Sequence, residues 1–131
     1  MVDFSKAFDR IEHNIVIKKF QILNVHPSLM NWCADFLHYR YLRVKADPNK
    51  SSQKPGHAGV PQRAKLGHHL FLVMINDLKL SSPLYKYVDD CTFYAIVGKP
   101  YISEIQKGFD DLQDWTINNN MHLYVNCKYR F

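Results

Sequence analysis

Cysteine is sparse and scattered. Cys33, Cys91 and Cys127 stand far apart in 131 residues. An odd, widely spaced set with no Cys-x-x-Cys pair builds no disulfide framework, so a reducing compartment is expected. No apolar run reaches the length of a membrane span. Asp3 and Lys6 interrupt the N-terminal stretch that a signal peptide would need to keep apolar. These absences give the expectation of a soluble, intracellular chain with no membrane partner. Internal repeats and low-complexity tracts are also missing. Acidic excess is missing too: 17 Lys and Arg stand against 12 Asp and Glu, a formal net charge of +5. Mild basicity suits a polyanionic partner but is common to many proteins without one. What is present, 47% hydrophobic and 14% aromatic residues, is enough for the core of a single domain.

Residues 1–4 read as the end of a strand. Asp9 and Glu12 have the spacing of a capping box, which predicts a helix from about Arg10 to Leu23 with Ile11, Ile15, Val16, Phe20 and Leu23 as its apolar stripe. Pro27-Ser28 opens a second helix, whose core face is Leu29, Trp32, Cys33, Phe36 and Leu37. Alternation from Tyr41 to Ala46, turn chemistry from Asp47 to Ser52 and a return strand toward Ala58 follow. Leu66, Leu70, Val73 and Met74 mark a third helix, ending near Leu78. Two β-rich segments, Leu84 to Val88 and Cys91 to Val97, flank Asp89-Asp90. Ile102, Ile105, Phe109, Leu112 and Trp115 stripe a fourth helix, and His122 to Val125 reads as a closing strand. The order β-α-α-β-β-α-β-β-α-β favours an α+β domain with helices on one face of an antiparallel sheet.

Asp89-Asp90 is the most informative pair. Two-residue hairpins favour Asn-Gly or Asp-Gly, so Asp-Asp is a poor turn, and adjacent carboxylates raise each other's pKa unless a cation neutralises them. A hard divalent ion bound by carboxylate oxygens would supply that charge. Taken alone, the pair reads more readily as a solvated turn, and Asp3 as an ordinary strand-end acid. His68-His69 is not a metal pair, because neighbours on a helix point about 100° apart. Lys18-Lys19, Arg40, Arg43 and Lys45 fit either a nucleic-acid backbone or a solvated face.

Four segments in order change the weight of these residues. Asp3-Phe4-Ser5-Lys6-Ala7-Phe8-Asp9 resembles the first palm motif of reverse transcriptases of non-LTR (LINE/jockey-like) retrotransposons. Gly59-Val60-Pro61-Gln62, with Leu66-Gly67, Leu70-Phe71 and Ile75-Asn76-Asp77-Leu78, resembles their template- and nucleotide-contacting segment. Tyr87-Val88-Asp89-Asp90 resembles the metal-binding hairpin, and Leu112-Gln113-Asp114-Trp115 through Met121-His122-Leu123 to Cys127-Lys128 the region after it. The resemblance covers nearly the whole chain, residues 1–131, as a partial reverse transcriptase domain. It implies a polymerase palm and RNA-directed DNA synthesis by two-metal nucleotidyl transfer. Two Mg²⁺ ions, or Mn²⁺ in their place, would be held about 3.5–4 Å apart by Asp3, Asp89 and Asp90. Phe8 would pack under the incoming sugar and disfavour a 2′-hydroxyl, Gln62 would touch nucleotide or template, and Tyr87 would lie near the primer end. Lys128 would support the leaving pyrophosphate. The implied partners are an RNA template, a DNA primer and deoxynucleoside triphosphates.

The chain departs from the family pattern in places. Ala58 stands for Ser, His68 for Pro, and Arg63 for a Gly that lets backbone approach nucleotide and template closely. Near the C-terminus the motif is one residue short, with Tyr124 where Asn is usual and no Lys before Cys127. The fingers that precede Asp3 in the family and the thumb that follows the palm are not in these 131 residues. The expectation is therefore a truncated palm with impaired turnover. The alternative is a catalytically silent remnant that binds nucleic acid.

Overall fold

A computed structural model of the chain describes residues 2–94 and 102–124. It is an α+β structure with four helices and small antiparallel sheets. The functional residues are organised by a three-stranded sheet. Strand β1 (Val2–Asp3) and strand β6 (Leu84–Tyr87) both pair antiparallel with β7 (Asp90–Phe93), in the order β1-β7-β6. Val2 lies opposite Cys91, and Asp3 opposite Asp90. Side chains alternate across a pleated strand. One face therefore sends Val2 and Cys91 into a core shared with Leu70, Phe71, Met74, Ile75 and Leu112, and the other presents Asp3 and Asp90 to solvent. Beyond β1, Leu123 bridges Phe4, and Tyr124 N–H donates to the Asp3 carbonyl at 2.8 Å. Of the expected closing strand, this one bridge lies within the described residues; Val125 lies outside them.

The helices sit close to their expected places, with instructive differences. Helix α1 (His13–Ile22) starts about three residues late. The capping box does not form, because Glu12 caps without a side-chain bond and Asp9 ends a 3-10 turn over Ala7–Asp9. The Ile11 carbonyl, which an earlier helix would use internally, accepts instead from Gly59 N–H at 2.8 Å. Val16 and Phe20 are buried as expected, but Leu23 is exposed, and His13 and Lys19 are buried. Helix α2 (Pro27–Leu37) buries Cys33 and Leu37; Leu29 and Trp32 of the expected core face are half-exposed. Helix α3 (Lys65–Ile75) buries Leu70 and Met74 of the expected stripe, leaves Leu66 and Val73 partly buried, and buries Phe71 and Ile75 beside them. Helix α4 runs Ile102–Asn118, with Leu112 buried and Trp115 partly so, its ring 5.8 Å from that of Phe4.

Between α2 and α3 the chain makes an arm. Strands β2 (Tyr41–Leu42) and β5 (Lys54–Pro55) pair, as do β3 (Lys45–Ala46) and β4 (Asn49–Lys50). Ser51 bridges the two ladders by bonding both the N–H and the carbonyl of Val44. Every residue from 41 to 55 is exposed. The alternation was a true strand signal, but neither face of the ribbon packs on a core.

Candidate active site

The β6–β7 hairpin differs from expectation by one residue. Tyr87 pairs with Asp90, so the two-residue loop is Val88-Asp89 and Asp90 is the first residue of β7. Val88 takes φ 53°, a left-handed value unfavourable for a β-branched side chain. The loop thereby delivers Asp89 at the strand end where Asp90 faces Asp3 across the β1–β7 pairing. The Asp3 carboxyl is pushed above its ordinary value by burial first, then by the charges of Asp89 and Asp90. Residues 86 positions apart in sequence thus share one electrostatic site. All three supply hard oxygen donors, the type that Mg²⁺ and Mn²⁺ prefer. Among the described residues, no three acid, histidine or cysteine side chains form a ready-made ion cage. Anchoring the hairpin from below, Lys86 Nζ donates to the carbonyls of Ile75, Asn76 and Leu78 at the end of α3.

Cys91 lies on the buried face directly behind Asp90. Burial pushes its thiol up to about 11, and only the thiolate is an effective nucleophile. Cys91 is expected to resist iodoacetamide at pH 8 in the folded chain and to react fully in urea, as peptide-resolved mass spectrometry would report. Rapid labelling without denaturant would contradict its place beneath the hairpin.

The second wall is a loop laid on the 3-10 turn after Asp3. Gly59 has φ +79°, and a Cβ there would stand 2.8 Å from the Asp9 carbonyl oxygen. Val60 N–H donates to the Phe8 carbonyl at 2.8 Å, and Gln62 Nε2 donates to Asp9 Oδ1 at 3.1 Å. Gln62 is exposed. Phe8 is partly buried, its ring 4.9 Å from Phe71 and edge-on to His68 at 5.3 Å. Tyr87 is 80% exposed at the hairpin tip. The register and the electrostatics join Asp3, Asp89, Asp90 and Tyr87, and the loop contacts join Phe8 and Gln62; Lys128 lies outside the described residues. His69 bonds back to the Lys65 carbonyl while His68 meets Phe8 edge to face, so the two histidines serve different neighbours.

Arg63 has φ 64°. This is the position where the family pattern expects glycine, and the backbone there is one that glycine adopts without steric cost. Arg63→Gly is expected to stabilise the fold by about 0.5–1 kcal/mol, the left-handed penalty less the larger chain entropy of glycine. A raised urea midpoint with unchanged slope would bear this out; a lowered one would contradict it.

Two arrangements escaped the sequence reading. His13 and Arg40 both donate to the Gly59 carbonyl. Lys19, buried, donates to Asp77, which also accepts from Trp115 Nε1. The first had a signal, because His13, Val16 and Phe20 share one helical face at i, i+3 and i+7.

The profile of the family described as reverse transcriptase (RNA-dependent DNA polymerase) matches residues 1–126. An RNA-directed DNA polymerase from mobile element jockey of Drosophila melanogaster is 32% identical over 135 residues, covering 93% of this chain and 14% of that protein. Its counterpart from Drosophila funebris is 27% identical over 136 residues, with the same coverage. The chain thus spans about one-seventh of the length of these relatives. With the profile match covering nearly all of it, the chain belongs to the reverse transcriptase family.

Proposed function

We propose that this chain is the palm part of an RNA-directed DNA polymerase, with Asp3, Asp89 and Asp90 holding two divalent ions for nucleotidyl transfer. The observation that carries this reading is the register that sets Asp3 opposite Asp90, with Asp89 in the adjoining loop. Three neighbouring carboxylates are unfavourable without a counter-charge: after burial, the charges of Asp89 and Asp90 are what raise the Asp3 carboxyl. Bound Mg²⁺ would supply acidity for the primer hydroxyl and charge for the leaving pyrophosphate. The chain's own contribution is position: Asp3 from β1 and Asp89-Asp90 from the hairpin hold the ions. Phe8 offers an apolar ring against a 2′-hydroxyl, and Gln62 a side-chain amide toward nucleotide or template. Tyr87, at the hairpin tip, would lie beside the primer end, and the support of the pyrophosphate falls by family resemblance to Lys128, outside the described residues. Template RNA, DNA primer and deoxynucleoside triphosphates are the substrates. The test is primer extension on an RNA template with Mg²⁺, comparing the wild type with Asp3→Asn. Equal extension by both would reject the assignment.

A second reading has its own observation. The exposed arm over 41–55 carries Arg43, Lys45, Lys50 and Lys54 against a single acid, Asp47, with Tyr41 exposed beside them. Cations interleaved with an aromatic ring suit a single-stranded nucleic acid, through phosphate contacts and base stacking. A silent binding remnant would hold RNA without metal. Its affinity should fall with salt, and replacing all four basic residues by Glu should flatten the slope of log K against log[salt] by about 3. Salt-independent binding would exclude this reading.

A further inference from the structure

Gly59 has both of its backbone polar groups committed to other segments. Its N–H donates to the Ile11 carbonyl at 2.8 Å. Its carbonyl accepts from His13 Nε2 at 2.8 Å and from Arg40 Nη2 at 3.0 Å. A carbonyl has no proton to give, so Nε2 must carry the proton in this pair. The ring is 5% exposed, and burial is the main cause that lowers its affinity for a second proton, with the charge of Arg40 and the neighbouring His38 acting in the same sense. His13 is thus held as the neutral Nε2–H tautomer. Arg40 accepts a cost for its place: its Nε is buried with no hydrogen-bond partner. Neither residue belongs to the acidic site, and neither bonds to Gln62. Their donors come from the start of α1 and from the turn after α2, 46 and 19 positions from Gly59.

We propose that His13 and Arg40 are positioning residues that clamp the Gly59 carbonyl. They thereby hold the Gly59–Gln62 segment on the Phe8–Asp9 turn, so that Gln62 and Phe8 present one surface to the incoming nucleotide. The nucleotide part of this statement rests on the reading of Gln62 and Phe8 given above; the clamp does not. Val60 N–H is bonded to the turn itself at the Phe8 carbonyl, and Gly59 N–H to the Ile11 carbonyl just after it. Releasing the carbonyl frees the segment to lift, and Gln62, whose side chain has one exposed bond, to Asp9, among the described residues, moves with it.

The experiment uses the 131-residue chain and two isosteric variants. Glutamine places its amide nitrogen near the level of imidazole Nε2, whereas asparagine reaches only the level of Nδ1. His13→Asn should speed hydrogen exchange of the Val60 amide about tenfold or more, the loss expected for an undone buried bond, and leave the amides of α4 unchanged. His13→Gln should restore slow exchange. Nitrogen-15 spectra of the wild type should show the Nε2–H tautomer. Calorimetric titration with dTTP and Mg²⁺ should give a dissociation constant raised by a similar factor in His13→Asn and restored in His13→Gln. Unchanged Val60 exchange in His13→Asn, or an Nδ1–H tautomer in the wild type, would overturn the clamp. Should His13→Asn fail to fold, Arg40→Met at a half-exposed position carries the same exchange test. A preserved exchange pattern in a wild type that binds no nucleotide would leave the clamp standing and overturn its positioning role, together with the reading of Gln62.

Discussion

Asp89→Asn is expected to lower Mg²⁺-dependent nucleotide addition by about 10²–10³, the loss typical of removing one preorganised electrostatic contact to a transition state. The change keeps the shape of the loop and removes one charge, so thermal melting should stay close to the wild type. A second effect follows from electrostatics. The charge of Asp89 is one of the causes that raise the Asp3 carboxyl. Neutralising it should therefore lower the Asp3 pKa in metal-free protein, even though the two residues belong to different strands. Mg²⁺ added to the wild type should act in the same direction and more strongly, because a cation favours the ionised form. The sign for stability is the reverse of the usual acid. A carboxyl raised above its unfolded value binds protons better in the native state, so it favours folding most at low pH and loses that contribution as pH rises through the folded value. Carboxyl ¹³C titration of Asp3 in wild type, in Asp89→Asn and with Mg²⁺ reads all three effects. An Asp3 titration indifferent to both the substitution and the ion would mean that the three acids do not share a site. Asp114→Asn, on α4 and not among the charges that raise Asp3, is the control that should change neither.

Local pattern and long-range resemblance were legible to different degrees. Leu70 and Met74 are buried where a 3.6-residue period put them, because an apolar stripe on a helix has only the core to face. The same rule applied to α2 named Leu29 and Trp32, which are half-exposed. Periodicity gives the direction of a face but not whether another element covers it. The capping spacing Asp9–Glu12 failed for a similar reason. It is a local rule, and the backbone partners that overrode it come from Gly59 and Val60, about fifty positions away. The Asp3–Asp90 register could not come from local pattern either; only the ordered motifs hinted that the first strand would meet the hairpin. The hairpin departs by one residue from the expected one because the ends of an element are what local pattern determines least. Tyr87 pairing with Asp90 puts Val88 first in the loop, and Val88 takes the left-handed backbone there. The run Ile75-Asn76-Asp77-Leu78 came to notice only through resemblance, and what Asp77 does there is structural.

Asp77→Ala is expected to destabilise the fold by about 2–4 kcal/mol, toward the lower part of the range for breaking a buried ion pair because the acid is half-exposed. The side chain of Lys19 is 7% exposed and that of Asp77 53%. Lys19 Nζ donates to Asp77 Oδ1 at 2.5 Å and to the Met74 carbonyl at 2.7 Å, and sits 5.0 Å from the centre of the Trp115 ring. Trp115 Nε1 donates to the same carboxylate oxygen at 3.0 Å. One acid therefore joins α1, the end of α3 and α4. Alanine would leave an ammonium buried without its counter-charge and an indole N–H without its acceptor. Asp77→Asn, which keeps an oxygen for both donors, should cost clearly less. Lys19→Met removes the buried charge itself and keeps most of the stem's volume, so adding it to Asp77→Ala should recover part of the loss; two independent contacts would instead add. The Lys19 amine is already held below its ordinary value by burial, against the bond and charge of Asp77, which raise it. Removing Asp77 lowers it further. The native state of Asp77→Ala then binds fewer protons than the unfolded chain, so its stability should rise with pH as Lys19 deprotonates. Urea unfolding at pH 7 and at pH 9.5 should show the variant recovering toward the wild type in the more alkaline buffer. A deficit that is the same at both values, and that Lys19→Met leaves untouched, would mean that the charge on Lys19 is not what Asp77 restrains.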